Sequence, residues 1–138
     1  MGEALNATGS TTVFATWVAS WFGGVPWFPV LVITLLIYFY AHYAFASITA
    51  HVLSMFPAFV VMLIGVGAPP LLTVYSLACL ANLTAGLTHY GTTTAPIVFA
   101  QNYVGTGEWW RVGFVVSVVN LAVWLTVGFG WWKVLGFW

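Results

Sequence analysis

Apolar residues occupy long blocks of this chain, and the places where the blocks break carry most of the information. Ser10, Thr11 and Thr12 offer N-caps to a run at residues 13–22, which stops at Gly23-Gly24-Val25-Pro26 and is too short to cross a bilayer alone. A nearly unbroken run follows at 29–46, with Pro29 placed to open a helix. The run at 50–66 carries Pro57 inside it and closes at Gly65-Val66-Gly67, just before Pro69-Pro70. Another covers 71–87, and the cleanest, at 112–129, ends in Gly128 and Gly130. This pattern predicts an all-α integral membrane fold.

Two breaks stand out. Ala46-Ser47-Ile48-Thr49-Ala50 separates two apolar arms without supplying a charge, and neither arm comfortably reaches the roughly 20 residues of a full span. A re-entrant helical hairpin over about 30–66, with its tip inside the membrane, fits better than two spans joined by a wet loop. The second break is Thr88-His89-Tyr90-Gly91-Thr92-Thr93-Thr94-Ala95-Pro96, where Gly91 and Pro96 oppose continuous helix. It predicts a broken transmembrane helix over about 69–100, followed by a last helix over about 109–130. Irregular backbone at membrane depth survives only when buried in protein or lining a wet cavity, and paired interrupted segments point to the substrate site of a secondary transporter.

Composition narrows the class. Of 138 residues only Glu3, Glu108, Arg111 and Lys133 carry full charges, 62% are hydrophobic, and the net charge is zero. A soluble domain averages about 25% charged residues, so the solvent of this chain is lipid. Nucleic-acid binding is excluded by the lack of any basic run. Residues 1–10 contain Glu3 and no lysine or arginine, unlike a secretory signal. The single cysteine, Cys79, allows neither an intrachain disulfide nor a cysteine metal site and reads as an apolar filler. Trp109 and Trp110 before the last run, and Trp131, Trp132 and Trp138 after it, form an aromatic-belt pattern. Arg111 and Lys133 flank that run on opposite sides, so charge assigns no orientation.

The chemistry on offer at the breaks is Ser47, Thr49, Thr88, Thr92, Thr93 and Thr94, with no carboxylate. Hydroxyls, freed backbone amides and helix N-termini suit an anion; backbone carbonyls at the opposite helix ends could hold sodium. A single membrane hydroxyl more often bonds the carbonyl one turn back. Two clusters coinciding with helix breaks favour a site. His42, His51 and His89 are the side chains that titrate near neutrality, and His42 and His89 fall beside the breaks, where they could carry a proton or sense an anion. Haem ligation from two helices is the rival use of the histidines, with no pattern to support it. The sequons at Asn6 and Asn82 and the Gly65-Val66-Gly67 element read as chance matches.

Tyr38-Phe39-Tyr40-Ala41-His42-Tyr43-Ala44-Phe45-Ala46-Ser47-Ile48-Thr49-Ala50-His51 resembles the second signature region of the divalent anion:sodium symporter family. Leu87-Thr88-His89-Tyr90-Gly91-Thr92 and Ala95-Pro96-Ile97-Val98-Phe99 are similar to its partner motif in a broken helix. Gly107-Glu108-Trp109-Trp110-Arg111-Val112-Gly113-Phe114 and Trp131-Trp132-Lys133 resemble its last helix and C-terminal end. Within the family the likeness is to the citrate, tartrate and 2-oxoglutarate/malate antiporters of bacteria and plastids.

The resemblance implies an elevator-type carrier of di- and tricarboxylates, homodimeric when full length, multi-pass in a membrane such as the bacterial inner membrane, and not an enzyme. Ser47 and Thr49 match the serine and threonine of the family's Ser-Asn-Thr hairpin motif, and Gly91, Thr92 and Thr93 match the facing unwound segment; with Thr94 and Ile48 these form the expected substrate site. Ile48 stands where the symporters carry asparagine, which disfavours sodium as a cofactor and favours exchange. Family topology would open the hairpin outward, with Arg111 cytoplasmic and the C-terminus outside. Members contain two inverted repeats, whereas one hairpin and one broken helix are found here, so the chain is expected to be the C-terminal portion of a carrier with its first repeat absent. The rivals are a non-transporting membrane anchor, a haem-binding subunit, or an inactive gene fragment. By itself the chain is expected not to transport, and carboxylate counterflow in liposomes reconstituted with it alone would refute this.

Overall fold

Proline and glycine set the helix boundaries in this protein. The structure, a computed structural model, describes residues 24–138 continuously, together with Val13, Trp17 and residues 20–22; the N-cap candidates Ser10, Thr11 and Thr12 lie outside the described residues. Among those described, every regular element is helical. α1 spans Trp27–Ala41 with Pro26 as its N-cap, and tightens into a 3-10 turn at His42–Ala44. It begins two residues before Pro29, which therefore sits in the first turn, where its missing N–H is one of the amides that would lack a helical partner anyway.

α2 spans Ile48–Gly65 and ends on Gly67 at φ +91°, with the Ala68 N–H donating to the Leu63 carbonyl at 3.0 Å. Only glycine enters that conformation without a Cβ penalty. Pro57 removes the amide that would have bonded the Leu53 carbonyl inside α2. α3, Pro70–Leu83, opens with proline at its first position and runs into a 3-10 turn at Thr84–Gly86. Residues 87–94 leave the helix, and a five-residue α4, Ala95–Phe99, resumes it. α5, Thr106–Val123, continues through a π-helical segment, Trp124–Gly128, into α6, Phe129–Val134. At Gly128 an added Cβ would stand 2.6 Å from Trp124 Cε3, so glycine makes room for the indole inside the bulge.

Among the described residues, three helices are long and apolar enough to cross a membrane: Trp27–Ala44, Ile48–Gly65 and Thr106–Val134. The first two are 18 residues each, about 27 Å at 1.5 Å per residue, just under roughly 30 Å of hydrocarbon. The third is 29 residues, about 43 Å, and exceeds that thickness unless it tilts or extends into the headgroups. It is longer than the apolar run implied because Glu108, Trp109, Trp110 and Arg111 continue the helix beyond the hydrocarbon-like stretch.

α1 is the central element. Its Leu31, Leu35, Tyr38 and Phe39 are fully buried together with Leu63 of α2 and Leu72 and Leu77 of α3. Trp132, placed by the sequence in an interfacial belt, instead faces inward on Trp124 and Phe129. The outer face of α5, including Val115, Val119 and Val123, remains exposed. In lipid such a face has no drive to pack, because the tails are as apolar as valine, so helix association depends on close fit and cross-helix hydrogen bonds.

Gly113 supplies the fit for α5: an added Cβ would stand 2.7 Å from the Gly86 carbonyl and 3.0 Å from that of Leu87. Tyr40 and Ser117 add a hydroxyl–hydroxyl bond of 3.2 Å between α1 and α5. Gly113→Ala gains up to about 1 kcal/mol in helix propensity, but the contact is with backbone that cannot swing aside. The net expected outcome is destabilisation by about 1–3 kcal/mol, read as a lower midpoint of unfolding in detergent.

Candidate functional site

The first break is a short extended link between two helices. Phe45 and Ser47 are extended, the Phe45 N–H donates to the His42 carbonyl at 2.9 Å, and α2 starts at Ile48. Ser47 caps α2 by accepting the Ala50 N–H on its hydroxyl oxygen at 3.1 Å. An oxygen that accepts in this way still has its own proton to donate. Ile48 is half-buried in the first turn, and Thr49 is exposed.

The second break repeats the chemistry. Thr92 accepts the Ala95 N–H on its hydroxyl at 3.0 Å, and its oxygen lies 3.3 Å from the Thr94 hydroxyl in a further hydrogen bond. Thr93 and Thr94 are exposed and Thr92 is half-buried. α4 has five residues, too few to build much of a macrodipole, so polar capacity here comes from hydroxyls and loose amides. These caps differ from the other membrane hydroxyls. Ser54, Ser76, Thr84, Ser117 and Thr126 each donate to a carbonyl three or four residues back, whereas Ser47 and Thr92 accept an amide from further along the chain.

Two contacts join the breaks. The Tyr90 hydroxyl donates to the Tyr43 carbonyl at 2.8 Å. Gly91, buried, lies so close to His42 that an added Cβ would stand 2.6 Å from its Nε2 and 2.7 Å from Thr88 Oγ1. Behind His42 the ring of His51 lies 5.3 Å away, itself stacked on Tyr38 at 4.3 Å and touching Phe45 at 5.1 Å.

Tyr38, His42, His51 and Thr88 have essentially no exposed surface, and the imidazoles of His42 and His51 lie against the backbones of Gly91 and Tyr38. His89 is different: it is half-buried and accepts the Trp110 Nε1–H on Nδ1 at 3.1 Å, with Phe99 4.6 Å from its ring.

His42 therefore lies between the breaks, while His89 is turned toward α5. The sequence places Thr88 among the hydroxyls of the second break and His51 among the titratable side chains, but it does not group them with His42 and Tyr38. Their polar side chains at the ends of apolar runs were a signal, but their grouping depends on how the arms pack.

Among the described residues, no group of three or more histidine, cysteine or acidic side chains could hold a metal ion. An apolar groove of about 320 Å³ runs along Gly86, Trp109, Val112, Gly113 and Val116, with Glu108 at its edge. It contains none of the residues expected to bind substrate.

A family model described as the sodium:sulfate symporter transmembrane region matches residues 1–138. Dicarboxylate transporter 1, chloroplastic, of Arabidopsis thaliana is 44% identical over 140 residues, covering all of this chain and 25% of the relative. The citrate/succinate antiporter of Escherichia coli (strain K12) is 30% identical over 142 residues, again over all of this chain and 28% of its own length. Inner membrane protein YbhI of the same organism is 29% identical over 143 residues, with 97% of this chain and 29% of that protein covered. The chain thus spans about a quarter of the length of the curated relatives it matches.

Removing the Tyr90 hydroxyl tests the join between the breaks. Tyr90→Phe is expected to cost about 0.5–1.5 kcal/mol and to speed amide hydrogen exchange at both 43–47 and 88–94. Faster exchange in only one segment would mean that the breaks are not coupled by this bond.

Proposed function

The chain belongs to the family of sodium:sulfate symporter transmembrane regions, and from that premise we propose that it supplies half of the anion site of a di- or tricarboxylate carrier. The observation that carries the reading is the pair of hydroxyls, Ser47 and Thr92, each holding a helix amide on its oxygen at a break, with the Thr92 hydroxyl also bonded to that of Thr94. Thr49, Thr93 and Thr94 supply further exposed hydroxyls, and the backbone at Ile48 and Gly91 completes the two tips. Relatives named as a dicarboxylate transporter and a citrate/succinate antiporter support a carboxylate substrate. The remaining part of the site comes from sequence that corresponds to the rest of those relatives.

Exchange of one carboxylate for another is the mechanism we favour. Ile48 has no side-chain oxygen for sodium, and no charged side chain lies in either break. We assign the carrier no enzymatic step, no metal and no organic cofactor. Its expected setting is a lipid bilayer, as a dimer, in a bacterial inner membrane; the relative named as an inner membrane protein supports that location.

The test uses the complete carrier made by putting this chain in place of the matched quarter of the Arabidopsis transporter, reconstituted in proteoliposomes. Ser47→Ala and Thr92→Ala are each expected to raise the KM for dicarboxylate exchange roughly 10- to 100-fold, the value of one hydrogen bond to a charged group, with unchanged insertion. Unaltered KM in both variants would remove the hydroxyl caps from the site.

A further inference from the structure

The substrate reading leaves the buried aromatic and imidazole ladder beneath the tips without a role. The ladder forms a continuous line of contacts between the two capping hydroxyls. His51 lies one turn into α2, its N–H bonded to the Ser47 carbonyl at 3.1 Å. Its ring is held by Tyr38 at 4.3 Å, Phe45 at 5.1 Å and His42 at 5.3 Å. His42 Nε2 then abuts Gly91, at 2.6 Å from the position a Cβ would occupy, and Gly91 is followed at once by Thr92. Tyr38, His42 and His51 have no exposed surface, so none of the three rings can step aside without displacing the next.

We propose that His42, clamped between His51 and Gly91, is a positioning residue that fixes the Ser47 hydroxyl relative to the Thr92 hydroxyl and thereby sets the length of dicarboxylate the carrier accepts. The proposal rests on the carboxylate reading above. It assigns His42 no contact with substrate. The action is mechanical: the ring spaces the hairpin tip from the unwound segment, and the spacing is transmitted to the hydroxyls on either side. A displacement of about 1 Å takes a hydrogen bond out of its working range, and losing one to a charged group costs roughly 10- to 100-fold in affinity. Dicarboxylates that differ by one methylene differ in reach by about that distance, so a fixed spacer discriminates between them.

Gly91 is the means of testing this. It is not at a positive φ, so replacing it with alanine adds a methyl group without demanding an unusual backbone. The methyl meets His42 Nε2 at 2.6 Å and Thr88 Oγ1 at 2.7 Å. Imidazole ends are often flexible, but this one has His51 behind it. The clash must therefore be relieved by separating the hairpin tip from the unwound segment.

The experiment measures exchange of succinate and of glutarate, one methylene longer, in the same proteoliposomes. Gly91→Ala is expected to shift the ratio of the two KM values by about five-fold or more. His42→Ala, which withdraws the spacer, is expected to shift the ratio by a similar factor in the opposite direction, toward the shorter diacid, while Gly91→Ala, which pushes the tips apart, favours the longer one. Generalised damage would lower the maximal rate for both substrates and leave the ratio alone. If Gly91→Ala does not reach the membrane, His42→Ala alone is decisive, because withdrawing the spacer must itself move the ratio. A ratio unmoved by the variants that insert, or moved in the same direction by both, overturns the proposal. Failure of the carboxylate reading is separate: Ser47→Ala and Thr92→Ala would then leave both KM values unchanged, whatever the ratio does.

Discussion

A backbone that leaves the helix inside hydrocarbon has no water to receive its amides and carbonyls and must find partners within the protein. At its two helix breaks this chain supplies such partners from its own residues, and much of its architecture follows. The hairpin tip is short, with Phe45 and Ser47 extended and both flanking helix ends bonded, so little backbone is left open. The longer unwound stretch closes by borrowing: Thr92 takes an amide of α4, and Tyr90 reaches the hairpin for the Tyr43 carbonyl. α5 then comes close enough at Gly113 to press against the carbonyls of Gly86 and Leu87. The breaks and the packing are one solution to one cost.

The breaks themselves were legible in the sequence, because proline, glycine and hydroxyl residues act locally. Ser47 before an apolar run, Pro70 at a helix start and Gly67 past a helix end each produce the structure their chemistry demands. Helix lengths were less legible. Pro29 looks like a start, yet α1 begins at Trp27, since the first turn of a helix tolerates a missing amide. Trp132 reads as an interfacial anchor but packs inward, since which side of a helix a tryptophan faces depends on neighbours that hydropathy does not contain.

The ladder under the site was the least legible part. His42 drew attention through its place beside a break, and His51 as a titratable side chain, but the sequence does not state that one ring lies against the other. That depends on the register between α1 and α2, on Phe45 closing the tip, and on Gly91 arriving from more than 40 residues away, His42 to Gly91 in chain order. Residue type pointed to polar chemistry near the breaks. Only tertiary packing separates His42, which faces the second break, from His89, which accepts a bond from Trp110 and belongs to the α5 side.

The scarcity of charge has an electrical consequence. With Glu3, Glu108, Arg111 and Lys133 all outside the two breaks, the half-site proposed above has no lysine, arginine or carboxylate of its own. A dianion seated in it would carry its whole charge through the membrane field, against about 2.3 kcal/mol per elementary charge for every 100 mV. A carrier that moved such an anion one way would feel that field twice over in each cycle. One that brings back an anion of equal charge on the return stroke feels no net work, and the membrane voltage ceases to set its direction. Exchange would then be governed by the two concentration gradients alone, a property that arises from what the breaks lack.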